Sequence, residues 1–183
     1  MKRILRMRGA PLPLKAINEA NTAKMERIVT KCQLSDNGYV EGMLRIDIGR
    51  IWDGRPAIDY LADYIGLLSK LTRVRAVVVI GSRARGAWKP SSDIDAIIVV
   101  DEAIPYAKLP PVGVVDPRIY TLKELLEAIN EAEYEIIEAF EEGKVIYDDG
   151  LWREMLKTYE EVKEKLKIRR YKTGWRIHSK DLS

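Results

Sequence analysis

The sequence predicts an α/β fold in which a small mixed β-sheet carries helices mainly on one face. Three apolar segments rich in β-branched residues have the composition of strands: residues 74–80, 93–100 and 112–120. Three other segments repeat apolar residues at helical spacing: residues 55–71, 122–142 and 151–168. A chain of 183 residues, 46% of them hydrophobic, is long enough to bury one core.

The first quarter of the chain is predicted as an addition to this core. Residues 1–13 are basic and proline-ended, which indicates a loose arm, and residues 14–29 have helical spacing. Residues 39–48 fit either one strand or a short hairpin bent at Gly42. We therefore expect residues 1–54 to form an N-terminal extension packed on the core.

The first helix of the core is predicted over residues 55–71. Pro56 suits the first turn, because the amide hydrogen that proline lacks would have no partner there. Apolar residues recur at the spacing of a single helical face. The buried face is expected to contain Ile58, Leu61, Ile65 and Leu68.

The start of a second helix is marked by a capping box. Thr121 and Glu124 are three residues apart and can cap each other's backbone amides, so a helix is expected to begin at Leu122. The helical pattern continues through residues 131–142, and Gly143 is a suitable end. We therefore expect helix from Leu122 to this glycine.

The C-terminal part of the chain is strongly charged. A short strand is predicted at residues 144–147, and a long amphipathic helix at residues 151–168 completes a core domain that spans 55–168. Residues 169–183 form a basic tail with two open interpretations. It is either a solvated end of the helix or a nucleic-acid contact, with interleaved aromatic residues for stacking.

Composition excludes several classes of protein. The one cysteine, Cys32, and the one histidine, His178, exclude an internal disulfide and any metal site rich in cysteine or histidine. The longest apolar run, residues 76–80, is far shorter than the roughly 20 residues that cross a membrane. The basic start lacks the apolar stretch of a signal peptide. We therefore expect a cytoplasmic protein without a membrane partner.

A glycine-serine turn follows the first predicted strand. Gly81 has no Cβ, so the chain can turn sharply and a ligand can approach its backbone closely. A short helix starting at Ser82 would direct free amide groups at an anion, and the Ser82 hydroxyl can donate to a phosphate oxygen. Arg83 and Arg85 follow as candidate phosphate contacts, or as solvated surface charges. The turn is therefore predicted to hold a triphosphate.

Acidic residues open the second predicted strand. Asp93 and Asp95 are two residues apart, so on a strand both side chains project from one face, with Cα atoms roughly 6.6 Å apart. Such a pair can bind hard cations, and two Mg²⁺ ions about 3.5–4 Å apart stabilise an in-line phosphoryl displacement. Asp116 on the third strand is the candidate third ligand, and also a candidate general base. Alternatively, these aspartates belong to ordinary turns.

The glycine-serine turn followed by Asp93 and Asp95 and an apolar strand resembles the signature of the polymerase-beta-like nucleotidyltransferase superfamily, and its minimal nucleotidyltransferases in particular. The resemblance covers residues 74–124 and implies a nucleotidyltransferase-like fold. It implies transfer of a nucleoside monophosphate from a nucleoside triphosphate, expected to be ATP, to an acceptor hydroxyl, with Mg²⁺ at Asp93, Asp95 and Asp116. By the same resemblance, Gly81 and Ser82 bind the triphosphate. Pro117 departs from the pattern and suggests an edge strand.

Two other functions stay open at this point. Minimal nucleotidyltransferases often pair with small helical HEPN-type proteins as antitoxins, so the chain is alternatively an interaction protein that binds or adenylylates such a partner. The basic tail, with Tyr171 and Trp175 among its charges, makes a nucleic-acid-binding module the second alternative. The residues do not identify the acceptor.

Overall fold

The structure is a computed structural model, and it describes residues 42–44, 46–172 and 174–177. Several predictions lie outside these residues: the basic arm, the helix at 14–29, Cys32 and His178. The strand or hairpin expected at residues 39–48 is only partly covered, and its described residues have no strand structure. No helix in the described part of the chain is both long and apolar enough to cross a membrane.

Four strands form a mixed sheet, as predicted. Their bounds are β1 Val74–Val79, β2 Ile94–Val100, β3 Val115–Thr121 and β4 Lys144–Asp148, and their order is β3-β2-β1-β4. β1 is antiparallel to both β2 and β4, whereas β2 and β3 are parallel. β3 lies at the edge of the sheet, which explains how Pro117 is accommodated despite having no amide hydrogen for a second neighbour.

The helices cover both faces of the sheet but mainly one of them, which confirms the predicted architecture. Their bounds are α1 Ala57–Leu68, α2 Gly81–Ala84, α3 Leu122–Asn130, α4 Tyr134–Glu142 and α5 Leu151–Lys165, with a 3₁₀ turn at Tyr106–Lys108. One buried apolar cluster joins α1 to the sheet and includes Ile48 and Ile51. A second cluster joins α3, α4 and α5 to the opposite face.

The alternation of side chains along β2 decides which face carries the candidate site. Ile94 and Ile98 are buried in the cluster beneath α1, whereas Ile97 and Val99 are buried beneath α3, α4 and α5. Successive strand residues point to opposite faces, so Asp95 shares the face of Ile97. The acidic end of β2 therefore projects towards the three-helix side of the sheet.

The continuous helix expected from Leu122 to Gly143 is instead two helices, and that prediction is wrong between them. The capping box at the start of α3 is present. Ala132 adopts a positive φ of 55°. Its amide donates to the Ile129 carbonyl at 3.1 Å, and that of Glu133 donates to Ala128 at 3.0 Å. This is a Schellman motif, which ends α3 and lets α4 start in a new direction.

Part of the basic tail folds into a hairpin. β5 Arg169–Tyr171 pairs antiparallel with β6 Gly174–Arg176. The hairpin lies against α4, because Arg170 forms an ion pair with Glu142 at 2.6 Å and a Cβ atom at Gly174 would lie 3.4 Å from the ring of Tyr134. The described part of the tail therefore packs beside α4, on the three-helix side of the sheet.

Candidate active site

The glycine-serine turn and the two aspartates of the motif lie next to each other. β1 and β2 are antiparallel, so the residue after β1 is adjacent to the start of β2. The Ile80 amide donates to the Asp95 carbonyl at 3.0 Å, which fixes the turn beside that aspartate. Asp93 lies immediately before β2 and is exposed, whereas Asp95 lies inside the strand and is half-buried.

Glycine is required at position 81 for two reasons. Its φ is +68°, in the left-handed region that other residues rarely adopt. A Cβ atom at this position would also lie only 2.6 Å from Oδ2 of Asp95. The absence of a side chain therefore lets the Asp95 carboxylate approach the Gly81 backbone, as expected for a residue that lines a binding site.

Asp116 is placed beside Asp95 by the strand register. The two residues are direct partners in the parallel pair of β2 and β3. The Arg118 guanidinium lies between them, with its NH1 atom 2.8 Å from Asp116 Oδ2 and 3.9 Å from Asp95 Oδ1. The Asp116 side chain is 54% exposed and that of Asp95 33% exposed. Both carboxylates are therefore accessible from solvent.

A third carboxylate contacts the same guanidinium from α4. The Nε atom of Arg118 lies 2.7 Å from Oε2 of Glu135. We call Asp95, Asp116, Arg118 and Glu135 the charge cluster. Hydrogen bonding to Asp116 raises the pKa of Arg118, and Glu135 adds to this. Burial raises the pKa of Asp95, the neighbouring carboxylates add to the rise, and the Arg118 charge opposes it.

The chemistry of these donors suits a hard divalent cation, but their arrangement is not a ready metal site. Carboxylate oxygens are the ligands that Mg²⁺ prefers. Asp95 and Asp116 already share one positive charge, that of Arg118. Within residues 42–44, 46–172 and 174–177, no three His, Cys, Asp or Glu side chains are grouped to hold a metal. The space between Asp95 and Asp116, which suits a cation, is therefore next to the Arg118 guanidinium.

Arg83, predicted as a phosphate contact, has a different environment. It is fully buried and its guanidinium donates to backbone carbonyls: Ser92 at 2.7 Å, Ile48 at 2.8 Å, Asp93 at 3.0 Å and, more weakly, Arg50. We call this arrangement the loop anchor. Burial lowers the pKa of Arg83. With 0% exposed surface it cannot reach a phosphate in this structure; it holds the loop that leads into β2.

Trp88 supports the same loop. Its ring is half-buried and packs against Gly49, where a Cβ atom would collide with it. The Arg83 guanidinium lies 5.7 Å from the ring centroid. The tryptophan therefore covers protein surface, and its contacts are with the loop anchor.

Arg85, the other predicted phosphate contact, lies at the surface of the site. Its side chain is 45% exposed and forms ion pairs with Glu138 and, at 3.8 Å, with Glu142. Glu138 also accepts a hydrogen bond from the Gly81 amide at 3.2 Å. One buried carboxylate from α4 therefore contacts both the backbone and a charged side chain of the predicted phosphate-binding turn.

Three residues that contact the predicted site were missed in the sequence. Arg118 had a usable signal, because it follows Asp116 by two residues on a strand and must share its face. Glu135 and Glu138 had a weaker one, since residues three apart on a helix share a face. Acidic residues at that spacing usually form a solvated surface, so nothing in α4 alone indicated contacts with the glycine-serine turn.

An acidic groove is lined by residues of β3 and α3. Its volume is about 480 Å³, and it shares Arg118 with the charge cluster. Four glutamates line it: Glu124, Glu127, Glu131 and Glu133. Their negative charge disfavours an anionic triphosphate in the groove. On the Gly81 side of the cluster, by contrast, the Gly81 amide and the Arg85 guanidinium are donors of the kind that bind phosphate.

Known proteins resemble this chain at the level of a domain family. No curated protein matches the sequence significantly. A crystal structure described as a toxin-antitoxin with AMP-PNP is similar, with 14% sequence identity and a TM-score of 0.39 over 60% of this chain and 91% of that chain. This likeness is too low to bear on ligands or partners. The family described as nucleotidyltransferase domain matches residues 61–173, which include all four strands of the sheet and every residue of the charge cluster. Since this is more than half of its length, the chain belongs to the nucleotidyltransferase domain family.

Proposed function

We propose that the protein transfers a nucleoside monophosphate from a nucleoside triphosphate, preferentially ATP, to an acceptor hydroxyl with the help of two Mg²⁺ ions. One observation carries this proposal. The glycine-serine turn lies against Asp95. Asp95 and Asp116 are neighbours in the sheet, and both lie within 4 Å of the Arg118 guanidinium. The proposed phosphate-binding amides would thus be adjacent to the proposed metal-binding carboxylates, which supports phosphoryl transfer.

Each residue has a defined part in the proposed site. Gly81 and Ser82 contact the β- and γ-phosphates through the backbone and the serine hydroxyl, with the partly exposed Arg85 as a charged partner. Asp93 and Asp95 hold the metal ions, and Asp116 completes the set. Arg83, being buried against backbone carbonyls, acts on the position of this loop and not on the nucleotide.

The reaction follows from these positions. The acceptor oxygen forms a bond to the α-phosphorus, the bond from that phosphorus to the bridging oxygen breaks, and pyrophosphate leaves with the electron pair. Asp116, the more exposed of the two paired aspartates, accepts the proton of the hydroxyl. Mg²⁺, when bound, supplies positive charge that neutralises the phosphate oxygens. Positioning and charge neutralisation account for most of the rate enhancement.

The test is to incubate the protein with each labelled triphosphate, Mg²⁺ and candidate acceptors, and to analyse products by mass. We expect pyrophosphate release together with a nucleotide adduct on one acceptor. Asp93→Ala and Asp95→Ala should each abolish transfer while circular dichroism shows a folded protein. Full activity in both variants would refute the assignment of these aspartates.

The two alternatives from the sequence remain predictions with their own tests. A protein partner of the small helical HEPN type would co-purify with the chain. A nucleic-acid contact through the basic tail would depend steeply on salt and be lost on truncation after Lys167. The described hairpin gives little support to the latter, because Arg169 and Arg170 are paired with Glu164 and Glu142 of the protein itself.

A further inference from the structure

Glu138 is the most unusual acidic side chain near the proposed site. It projects from α4 and is only 8% exposed, although buried carboxylates are rare unless paired. Its Oε1 atom accepts the Gly81 amide at 3.2 Å, and the same oxygen forms an ion pair with Arg85. The proposed reaction gives this residue no part.

The two partners of Glu138 are the kinds of donor that bind phosphate. Backbone amides of a glycine turn and arginine guanidinium groups both donate strongly to phosphate oxygens. A carboxylate held by both donors therefore stands where a phosphate oxygen of the substrate would be bound. A second carboxylate of α4 lies close by, because Glu142, one turn further along the helix, reaches Arg85 at 3.8 Å and pairs with Arg170 of the hairpin at 2.6 Å.

We infer that Glu138 determines nucleotide affinity by occupying the Gly81 amide and Arg85 until a phosphate group displaces it. The inference rests on the proposed function and adds a residue that the family signature does not contain. The displacement exchanges one anion for another on the same donors. The cost of nucleotide binding then includes breaking the Glu138 contacts and placing a highly charged phosphate chain beside a carboxylate.

Arg85 can take part in such an exchange because it is not buried. Its side chain is 45% exposed, so it can turn from the carboxylate to an incoming phosphate without losing its hydration. Arg83, two residues earlier, cannot do this, since its donors are fixed to backbone carbonyls. Glu138 therefore competes with phosphate for two donors, the partly exposed Arg85 guanidinium and the Gly81 amide.

The experiment compares the full-length wild type with Glu138→Gln, which keeps the length and the hydrogen-bond acceptor but removes the charge. Glu161→Gln, at an exposed position of α5, is the matched control for loss of one negative charge. Isothermal titration at fixed ionic strength uses three probes: inorganic tripolyphosphate, ATP and adenosine. We expect Glu138→Gln to bind tripolyphosphate and ATP about tenfold more tightly, equivalent to ~1.4 kcal/mol, with adenosine binding unchanged. Glu161→Gln should behave as the wild type.

Other outcomes separate this inference from the proposed function. Equal or weaker tripolyphosphate binding by Glu138→Gln, when the wild type binds ATP, overturns the role of Glu138 and leaves nucleotide transfer intact. Failure of every variant to bind ATP overturns the proposed function itself. If Glu138→Gln is poorly folded by thermal unfolding, Glu138→Asp, whose shorter carboxylate weakens both contacts, should give a smaller gain in affinity. Arg85→Gln should reduce the gain that Glu138→Gln produces, because one of the two released donors is then missing.

Discussion

The loop anchor and the charge cluster each contain one arginine near the predicted site. The two arginines differ in burial and in the groups that accept their hydrogen bonds. Arg83 is fully buried and donates only to backbone carbonyls. Arg118 is 30% exposed and donates to side-chain carboxylates. Backbone carbonyls cannot move without unfolding the loop, whereas carboxylates can exchange one cation for another. The first arginine therefore fixes the geometry of the loop, and we predict that a bound cation can displace the second.

From this difference we predict that the type of hydrogen-bond acceptor, more than the distance from the site, separates structural from exchangeable charges. Both arginines contact an aspartate of the predicted site: Arg83 donates to the Asp93 carbonyl, and Arg118 pairs with the Asp116 carboxylate. Arg118 and the Asp116 carboxylate are both partly exposed, so water can solvate both charges if the pair separates. The buried Arg83 has no such access to water. Substitutions in the loop anchor should accordingly reduce stability, whereas substitutions in the charge cluster should mainly change nucleotide transfer and metal binding.

The largest expected effect is on stability, at the loop anchor. Arg83→Met keeps much of the volume but leaves the carbonyls of Ile48 and Ser92 without their donor. Each orphaned group costs about 1–3 kcal/mol, so the two together should lower the free energy of unfolding by roughly 2–6 kcal/mol. Chemical denaturation measures this, with the exposed Arg169→Met expected to change stability by less than ~1 kcal/mol. A loss as small as that of the control would show that water replaces the guanidinium.

The converse effect is expected at Asp95. Asp95→Asn should reduce nucleotide transfer by roughly 10²–10³-fold, the loss typical of one preorganised electrostatic group. The free energy of unfolding at neutral pH should not fall, because burial raises the pKa of Asp95 and its ionised form costs stability. Steady-state kinetics and chemical denaturation on the same preparation test both parts. A variant that is destabilised as strongly as Arg83→Met would place Asp95 among the structural residues.

Arg118→Gln tests whether the second arginine is exchangeable. Removing a positive charge from between Asp95 and Asp116 should strengthen divalent-ion binding, by about tenfold or ~1.4 kcal/mol, well below the roughly 4 kcal/mol of a unit charge pair 4 Å apart near a surface. Titration with Mn²⁺ in the absence of nucleotide measures the change.

Arg73→Gln is the control for this experiment, since Arg73 is exposed and pairs with Asp149 at 3.0 Å, outside the charge cluster. Its Mn²⁺ affinity should equal that of the wild type. Weaker Mn²⁺ binding by Arg118→Gln alone would mean that the guanidinium positions the two carboxylates for the metal, and the contrast with Arg83 would then disappear.

The strands and the motif were predictable from the sequence because their signals are local. β-branched runs indicated β1 and β2, and the acidic residues Asp93 and Asp95 were correctly expected at the start of the second strand, although β2 itself begins at Ile94. Pro117 indicated the edge strand, since a proline has no amide hydrogen to donate to a second neighbouring strand. These predictions needed only short-range periodicity and the chemistry of single residues.

The remaining contacts could not be predicted because they join residues far apart in sequence. Arg85 meets Glu138 and Arg118 meets Glu135 only after α4 packs on the sheet. The turn before α4 was missed because Ala132 takes the left-handed conformation that a sequence normally marks with glycine. Burial decided which arginine became structural, and two arginines separated by one alanine look alike in the sequence.

The smallest expected effect is a pH dependence of stability that separates Asp95 from its asparagine variant. The folded state binds the Asp95 proton more tightly than the unfolded state, whose pKa is near 3.8. This group therefore contributes stability below pH 3.8 and loses it as the pH rises through the raised folded pKa. The stability of Asp95→Asn relative to the wild type should increase over that window, by less than ~1.4 kcal/mol because Asp95 is partly solvated.

Denaturation of both proteins from about pH 3.5 upwards in the presence of a chelator measures the difference. A constant difference across the window would mean that Arg118 fully compensates for the burial of Asp95, and the charge cluster would then be as fixed electrostatically as the loop anchor is geometrically.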